Sequence, residues 1–192
     1  MPPLSNKRLL GALVDVETTG FSPYRDEIIE LCIVLFSINH DGLAVIEEEY
    51  TGLREPVNGI NAAAARVNGI GWADVRGREL DHQRVNDLIR RTDFIIAHNA
   101  PFDRGFLTRL YPQIAGKHWY CSMSGIDWRS KGCPRRGLQD LLAWHGIKPD
   151  RSHRASDDVL ATLELLNFCQ GNGITYLNEL LEKNKIWTKV RN

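Results

Sequence analysis

Two acids separated by one residue, Asp15 and Glu17, close the apolar run Leu9 to Val14. Side chains alternate along an extended strand, so both project from one face of its carboxyl end and could touch a single cation. Hard cations such as Mg²⁺ take carboxylate and water oxygens, and Mg²⁺ is held by few protein ligands together with substrate phosphate. The pair could equally cap the next turn at the surface. A third acid, Asp103, stands where the apolar run Phe94 to Ala97 passes through His98, Asn99 and Pro101 into a helical pattern. An acid there can serve a metal or simply face the positive N-terminus of its helix. His153 and Asp158 are separated by four residues, a little over one turn on a continuous helix. The histidine could then take a proton from water on a cation held by Asp158. Asp157 points about 100° away from Asp158 and is assigned no metal.

These residues need elements to position them. Leu9 to Val16 reads as a strand buried on both faces, with its acids at the carboxyl end. Ile28 to Ile38 and Leu43 to Tyr50 are further strands, joined through Asn39, His40, Asp41 and Gly42, and connections this short imply three antiparallel strands. Gly52 to Gly77 is loop-like around the helix-prone patch Asn61 to Val67. Helices are expected at His82 to Arg91, Pro101 to Leu110, Leu138 to Trp144, His153 to Cys169 and Tyr176 to Glu182, with a short strand at Phe94 to Ala97. This order points to an α/β fold, a mixed sheet flanked by helices.

The 192 residues carry no linker-like stretch and suit one domain, with a core at about 8–170 and a helical extension at about 171–192. Lys plus Arg equal Asp plus Glu at 24 each, so the whole-molecule field would not steer the chain onto a polyanion and any nucleic-acid contact must be local. From Arg129 to Arg154, Arg129, Lys131, Arg135, Arg136, Lys148, Arg151 and Arg154 face only Asp140 and Asp150. That run is a candidate contact or a solvated basic surface. Cys32, Cys121, Cys133 and Cys169 show no zinc-ligand spacing and read as reduced thiols. No stretch is apolar for long enough to span a bilayer, and a cytoplasmic location without a membrane partner is expected.

The segments LVDVETTG, AHNAPFDRGFL and HRASDDVLAT resemble the three motifs of the DEDDh, or DnaQ-like, 3′-to-5′ exonuclease family, over about Leu9 to Leu166. The resemblance implies a ribonuclease H-like fold and a metal-dependent hydrolase that releases nucleoside 5′-monophosphates from the 3′ end of nucleic acid, DNA in the first instance. It makes Asp15, Glu17, Asp103 and Asp158 the ligands of two divalent ions, Mg²⁺ or Mn²⁺, with Asp15 bridging them, and His153 the general base. Residues after the first acid pair line the terminal-nucleotide pocket in similar proteins, which points to Thr18 and Phe21; Phe21 could also be core. His98 and Asn99 would lie near sugar or phosphate, and Trp72 beside the substrate groove.

Many relatives carry an Asp-Thr pair where this chain reads Cys121-Ser122-Met123, so substrate contacts there are expected to differ. Arg135 and Arg136 are candidates for backbone phosphates. The partner expected is a single-stranded 3′ end, with a homodimer or a polymerase as further partners. Two alternatives stay open: an exoribonuclease using the same site, and a non-catalytic nucleic-acid-binding or polymerase-associated module.

Overall fold

The structure is a computed structural model, which describes residues 9–148, 154–169, 171 and 173–183. Its sheet starts with β1 (Leu10–Thr18), β2 (Ile28–Ile38) and β3 (Ala44–Leu53), paired antiparallel in succession. The β2–β3 turn is closed by the Asn39 carboxamide, whose Oδ1 accepts the N–H groups of Asp41 at 3.0 Å and Leu43 at 2.9 Å. This is how Asn mimics a backbone turn. β4 (Phe94–Ala97) lies parallel to β1 on its other side, and β5 (His118–Cys121) parallel to β4, giving the order β3-β2-β1-β4-β5. The mixed sheet expected from the sequence is therefore the one present. β1 and β3 run further than their apolar stretches, to Thr18 and Leu53, because polar residues there still find ladder partners: Glu17 pairs with Glu30, and Thr51 with Cys32.

The helices are α1 (Ala62–Asn68), α2 (Trp72–Val75), α3 (His82–Arg91), α4 (Ala100–Leu110), α5 (Ser122–Gly125), α6 (Leu138–His145), α7 (Ala155–Asn167) and α8 (Tyr176–Glu182). Alternation along the strands divides the core between two faces. Leu13, Val34, Phe36, Phe94 and Ile96 pack with α6, α7 and α8, whereas Val14, Val16, Ile33, Leu35 and Ile95 pack with α3 and α4. Fully burying one such side chain stabilises the fold by about 1.5–3 kcal/mol. Gly11 belongs to the first face because a Cβ there would come within 2.4 Å of Phe36 and 2.6 Å of Phe94, whose rings meet edge-on.

Two further segments differ from the sequence reading. The Gly52 to Gly77 stretch contains α1 and α2; Asn61 caps α1 by accepting the Ala64 N–H at 2.8 Å. The last long helix begins at Ala155 rather than His153 and ends at Asn167. His153, the residue assigned as general base, lies outside the described residues.

Candidate active site

Asp15 and Glu17 occupy alternate positions of β1, so they leave the sheet on the face covered by α7. Asp158 sits in the first turn of α7, 7% exposed, and its Oδ1 accepts from the Gln139 side-chain amide at 3.0 Å. One carboxylate oxygen from each of Asp15, Glu17 and Asp158 lies within 4.8 Å of the others.

Asp103 comes from α4, on the opposite face; it is not one of the three acids whose oxygens converge, but its charge acts on Asp15 past the end of β4. The β1–β4 ladder covers only Gly11 to Leu13, while β1 continues to Thr18 along β2. Past the end of β4, the Val16 backbone is open to a hydrogen bond that holds the Asp103 carboxylate. The turn that delivers this helix is tight: Asn99 takes φ 67°, a left-handed conformation that Asn tolerates better than most residues. Asp103 is 1% exposed, and among the described residues its Oδ1 has no hydrogen-bond partner.

Electrostatics match this crowding. Burial first, then the charges of Asp103, Glu17, Asp158 and Glu30, push the Asp15 carboxyl well above the usual range. Burial and the neighbouring acids raise Glu17 to about 8, with Arg154 pulling it back. Burial also raises Asp103 to about 8 against backbone hydrogen bonds that favour its charged form. Carboxylates gathered this closely resist joint ionisation unless a cation joins them. An oxygen donor set with one buried oxygen unpartnered fits a hard divalent cation.

Two supporting residues escaped the sequence reading. Glu30, 1% exposed in β2, accepts the Arg154 Nε at 3.2 and 3.1 Å, the Arg154 Nη2 at 2.5 Å and the Ala155 backbone N–H at 2.9 Å. It thereby fixes the start of α7, and with it Asp158. An acid inside the otherwise apolar run Ile28 to Ile38 was the available signal, since a fully buried Glu needs a partner. Gln139 carried no signal beyond its place at the start of an expected helix.

The basic run from Arg129 to Arg154 is less available than its local charge count implied. Arg154 is committed to Glu30, Lys131 pairs with Glu179 at 2.6 Å, and Arg135 lies 3.5 Å from Asp140. Acids distant in sequence supply most of that neutralisation. Arg136 has a different tie: its carbonyl accepts from His98 Nε2 at 2.9 Å, so that nitrogen carries the proton and Nδ1 accepts from the Ser122 hydroxyl at 2.9 Å. Burial lowers His98 to about 4, which keeps the ring neutral. Both of its nitrogens are thus taken by protein groups.

Beside Glu17 opens a pocket of about 210 Å³ lined by Thr18, Phe21, Ala64, Val67, Asn68 and Phe102 among others. Phe21 is 90% exposed, which removes the core-packing alternative. It rides on a loop closed by Asp26, whose carboxylate accepts the Ser22 N–H at 2.8 Å and occupies the space a Gly20 side chain would fill. Asn61 donates to the Thr19 carbonyl at 2.5 Å and Asn68 to that of Thr18 at 3.4 Å, tying α1 to the same loop. The Thr18 hydroxyl donates to the Gly20 carbonyl at 2.6 Å. Trp72, 45% exposed, does not line this pocket.

The sequence is similar to "DNA polymerase III PolC-type" of Thermotoga petrophila, 28% identical over 177 residues that take in 88% of this chain and 13% of that protein. It is 32% identical over 177 residues to "Ribonuclease T" of Shewanella frigidimarina, covering 82% of this chain and 79% of the relative. Among solved structures, E. coli exonuclease I in complex with a dA16 oligonucleotide superposes with a TM-score of 0.67 at 18% identity, over 83% of this chain and 40% of that one. The same enzyme in complex with a 5cy-dT13 oligonucleotide gives 0.70 at 17% identity, over 96% and 45%. The chain thus spans a small fraction of the PolC-type relatives and less than half of exonuclease I, and the structural likeness speaks for the fold. The exonuclease family named for RNase T matches residues 13–166, motif to motif, so the chain belongs to this DnaQ-like exonuclease family with its ribonuclease H-like fold.

Proposed function

We propose that the protein is a metal-dependent 3′-to-5′ exonuclease that releases nucleoside 5′-monophosphates from single-stranded DNA. The observation that carries this reading is that Glu17 belongs at once to the carboxylate cluster and to the wall of a ring-sized apolar pocket. An apolar cavity of about 150 Å³ holds benzene, so about 210 Å³ between Phe21 and Phe102 suits one base. A base seated there puts its own phosphodiester beside the acids, and a strand can enter such a pocket only by its end.

Two divalent cations, Mg²⁺ or Mn²⁺, held by Asp15, Glu17, Asp103 and Asp158, would activate water as a nucleophile at neutral pH and relieve charge on the leaving oxygen. The chain supplies the rest. Phe21 and Phe102 offer aromatic faces to the terminal base, and Thr18 gives the pocket wall. His98 and Asn99 act one step from the substrate, His98 by holding the Arg136 carbonyl and Asn99 by setting the turn into α4. His153 is assigned the removal of a proton from the attacking water, which suits an imidazole with an ordinary pKa near 6.5. Its support is position: it directly precedes Arg154 and Ala155, both held by Glu30. His153→Ala should lower kcat by about 10² to 10⁴, and Asp15→Ala by more.

Similarity to a ribonuclease T favours one second reading, trimming of RNA ends with the same site. Parallel digestion of 5′-labelled single-stranded DNA and RNA with Mg²⁺ tests both. A ladder shortening from the 3′ end and free 5′-monophosphates are expected, absent in Asp15→Ala. Internal cleavage, or no cleavage of either strand, would reject the reading, and faster loss of RNA would transfer it to the second.

A further inference from the structure

A groove of about 570 Å³ runs along the outer face of α4. It shares with the base-sized pocket both the loop between β1 and β2 and the first turn of α4. Phe21 and Phe102 line the pocket, whereas Tyr24, Pro101 and Arg104 line the groove. Pro101, Arg104, Gly105, Thr108 and Arg109 fall on one helical face at the spacing of successive turns. Gly105 leaves the floor low: a Cβ there would already lie 3.4 Å from Pro23.

The chemistry of the walls is one-sided. Arg104 and Arg109 are both exposed, and no carboxylate lines the groove. Arg104 reaches only the Ala115 carbonyl, at 3.4 Å, and makes no ion pair among the described residues. Arg109 stands over Tyr24, 5.2 Å from the ring centroid, and Tyr24 is 81% exposed. Across the groove, the Trp119 ring is fixed by its Nε1 donating to the Ile114 carbonyl at 3.1 Å. The Thr108 hydroxyl oxygen is buried with no hydrogen-bond partner among the described residues, and Thr108 lines the groove. Guanidinium groups without acids recognise phosphates, and exposed rings stack on bases of any sequence. In a chain of zero net charge, where Lys131, Arg135 and Arg154 of the basic run are ion-paired, Arg104 and Arg109 make no ion pair among the described residues.

We infer that this groove holds the single strand upstream of the 3′ end, with Arg104 and Arg109 on two of its phosphates and Tyr24 and Trp119 against its bases. The inference rests on the exonuclease reading and adds to it a length-dependent grip on the substrate.

The test is binding of a fluorescein-labelled oligothymidylate of about 12 nucleotides, with Ca²⁺ in place of Mg²⁺ so that the strand stays intact. The Arg104→Ala/Arg109→Ala double variant should raise Kd roughly tenfold and flatten the plot of log K against log salt by about 1.4, near 0.7 for each phosphate lost. Tyr24→Ala should weaken binding with little change in that slope. The loss should grow with strand length, being small for a trinucleotide. An unchanged Kd and salt slope in the double variant would overturn the groove, even if the protein cuts DNA normally. Wild-type protein that binds with the steeper slope yet cleaves nothing in Mg²⁺ or Mn²⁺ would overturn the exonuclease reading and leave the groove standing.

Discussion

Glu17 and Asp103 both stand near 8 in the metal-free protein, against ordinary values of 4.5 and 3.8. Between those limits the native state holds protons that the unfolded chain has released, so stability falls as pH rises through the window. In EDTA the Tm is therefore expected to drop between about pH 5 and pH 8, and saturating Mg²⁺ should flatten that slope. Asp103→Asn replaces a buried carboxyl that resists ionisation by a neutral amide of the same shape. This variant should raise the metal-free Tm at pH 8 by a few degrees, at about 2–4 °C per kcal/mol for a chain of this size, while abolishing cleavage. Thermal melts across pH check both outcomes. A metal-free Tm that rises with pH would contradict the assignment.

At the scale of elements, the decisive contact joins β2 to the start of α7. Glu30 holds the Arg154 side chain and the first helical N–H together, and Asp158 follows within one turn. Arg154→Ala would leave a carboxylate that is 1% exposed without its cation. Breaking a buried pair in this way costs about 3–5 kcal/mol, and the lower end applies because the Arg154 side chain is itself 25% exposed. Glu30→Gln combined with Arg154→Met removes both charges and should be the milder change. Urea denaturation measures these differences, and kcat should fall in Arg154→Ala as Asp158 loses its fixed helix start. A single variant with wild-type stability would show that the pair is ornamental to the fold.

For the whole molecule, the three-acid cluster draws on β1 and α7, and Asp103 of α4 adds its charge beside Asp15, so the site gathers segments from three distant parts of the chain. No such site exists in the unfolded chain, so cation binding acts as folding energy. At a free Mg²⁺ about 100-fold above Kd the native state gains about 2.7 kcal/mol, a rise of roughly 5–10 °C in Tm. Differential scanning fluorimetry reads this directly, and Asp15→Ala should show little of it. No helix among the described residues is long and apolar enough to cross a membrane.

Patterns of residue type along the chain determined the sheet and the motif acids. Apolar runs and turn chemistry give the strands and their antiparallel start, and period-two alternation puts Asp15 and Glu17 on one face whatever the rest of the molecule does. Local signals cannot name a partner across 124 positions, and so the Arg154 charge looked free until the fold brought Glu30 to it. The same holds for Lys131, neutralised by Glu179, and for the helix that begins at Ala155 because Glu30 caps it there. Tertiary structure also decided that Phe21 faces solvent, that Asp103 finds the Val16 backbone beyond the β1–β4 ladder, and that two arginines of α4 share a groove with the exposed Tyr24 and the half-buried Trp119. Periodicity reports which side of an element is buried; what that side meets is fixed only when the elements pack.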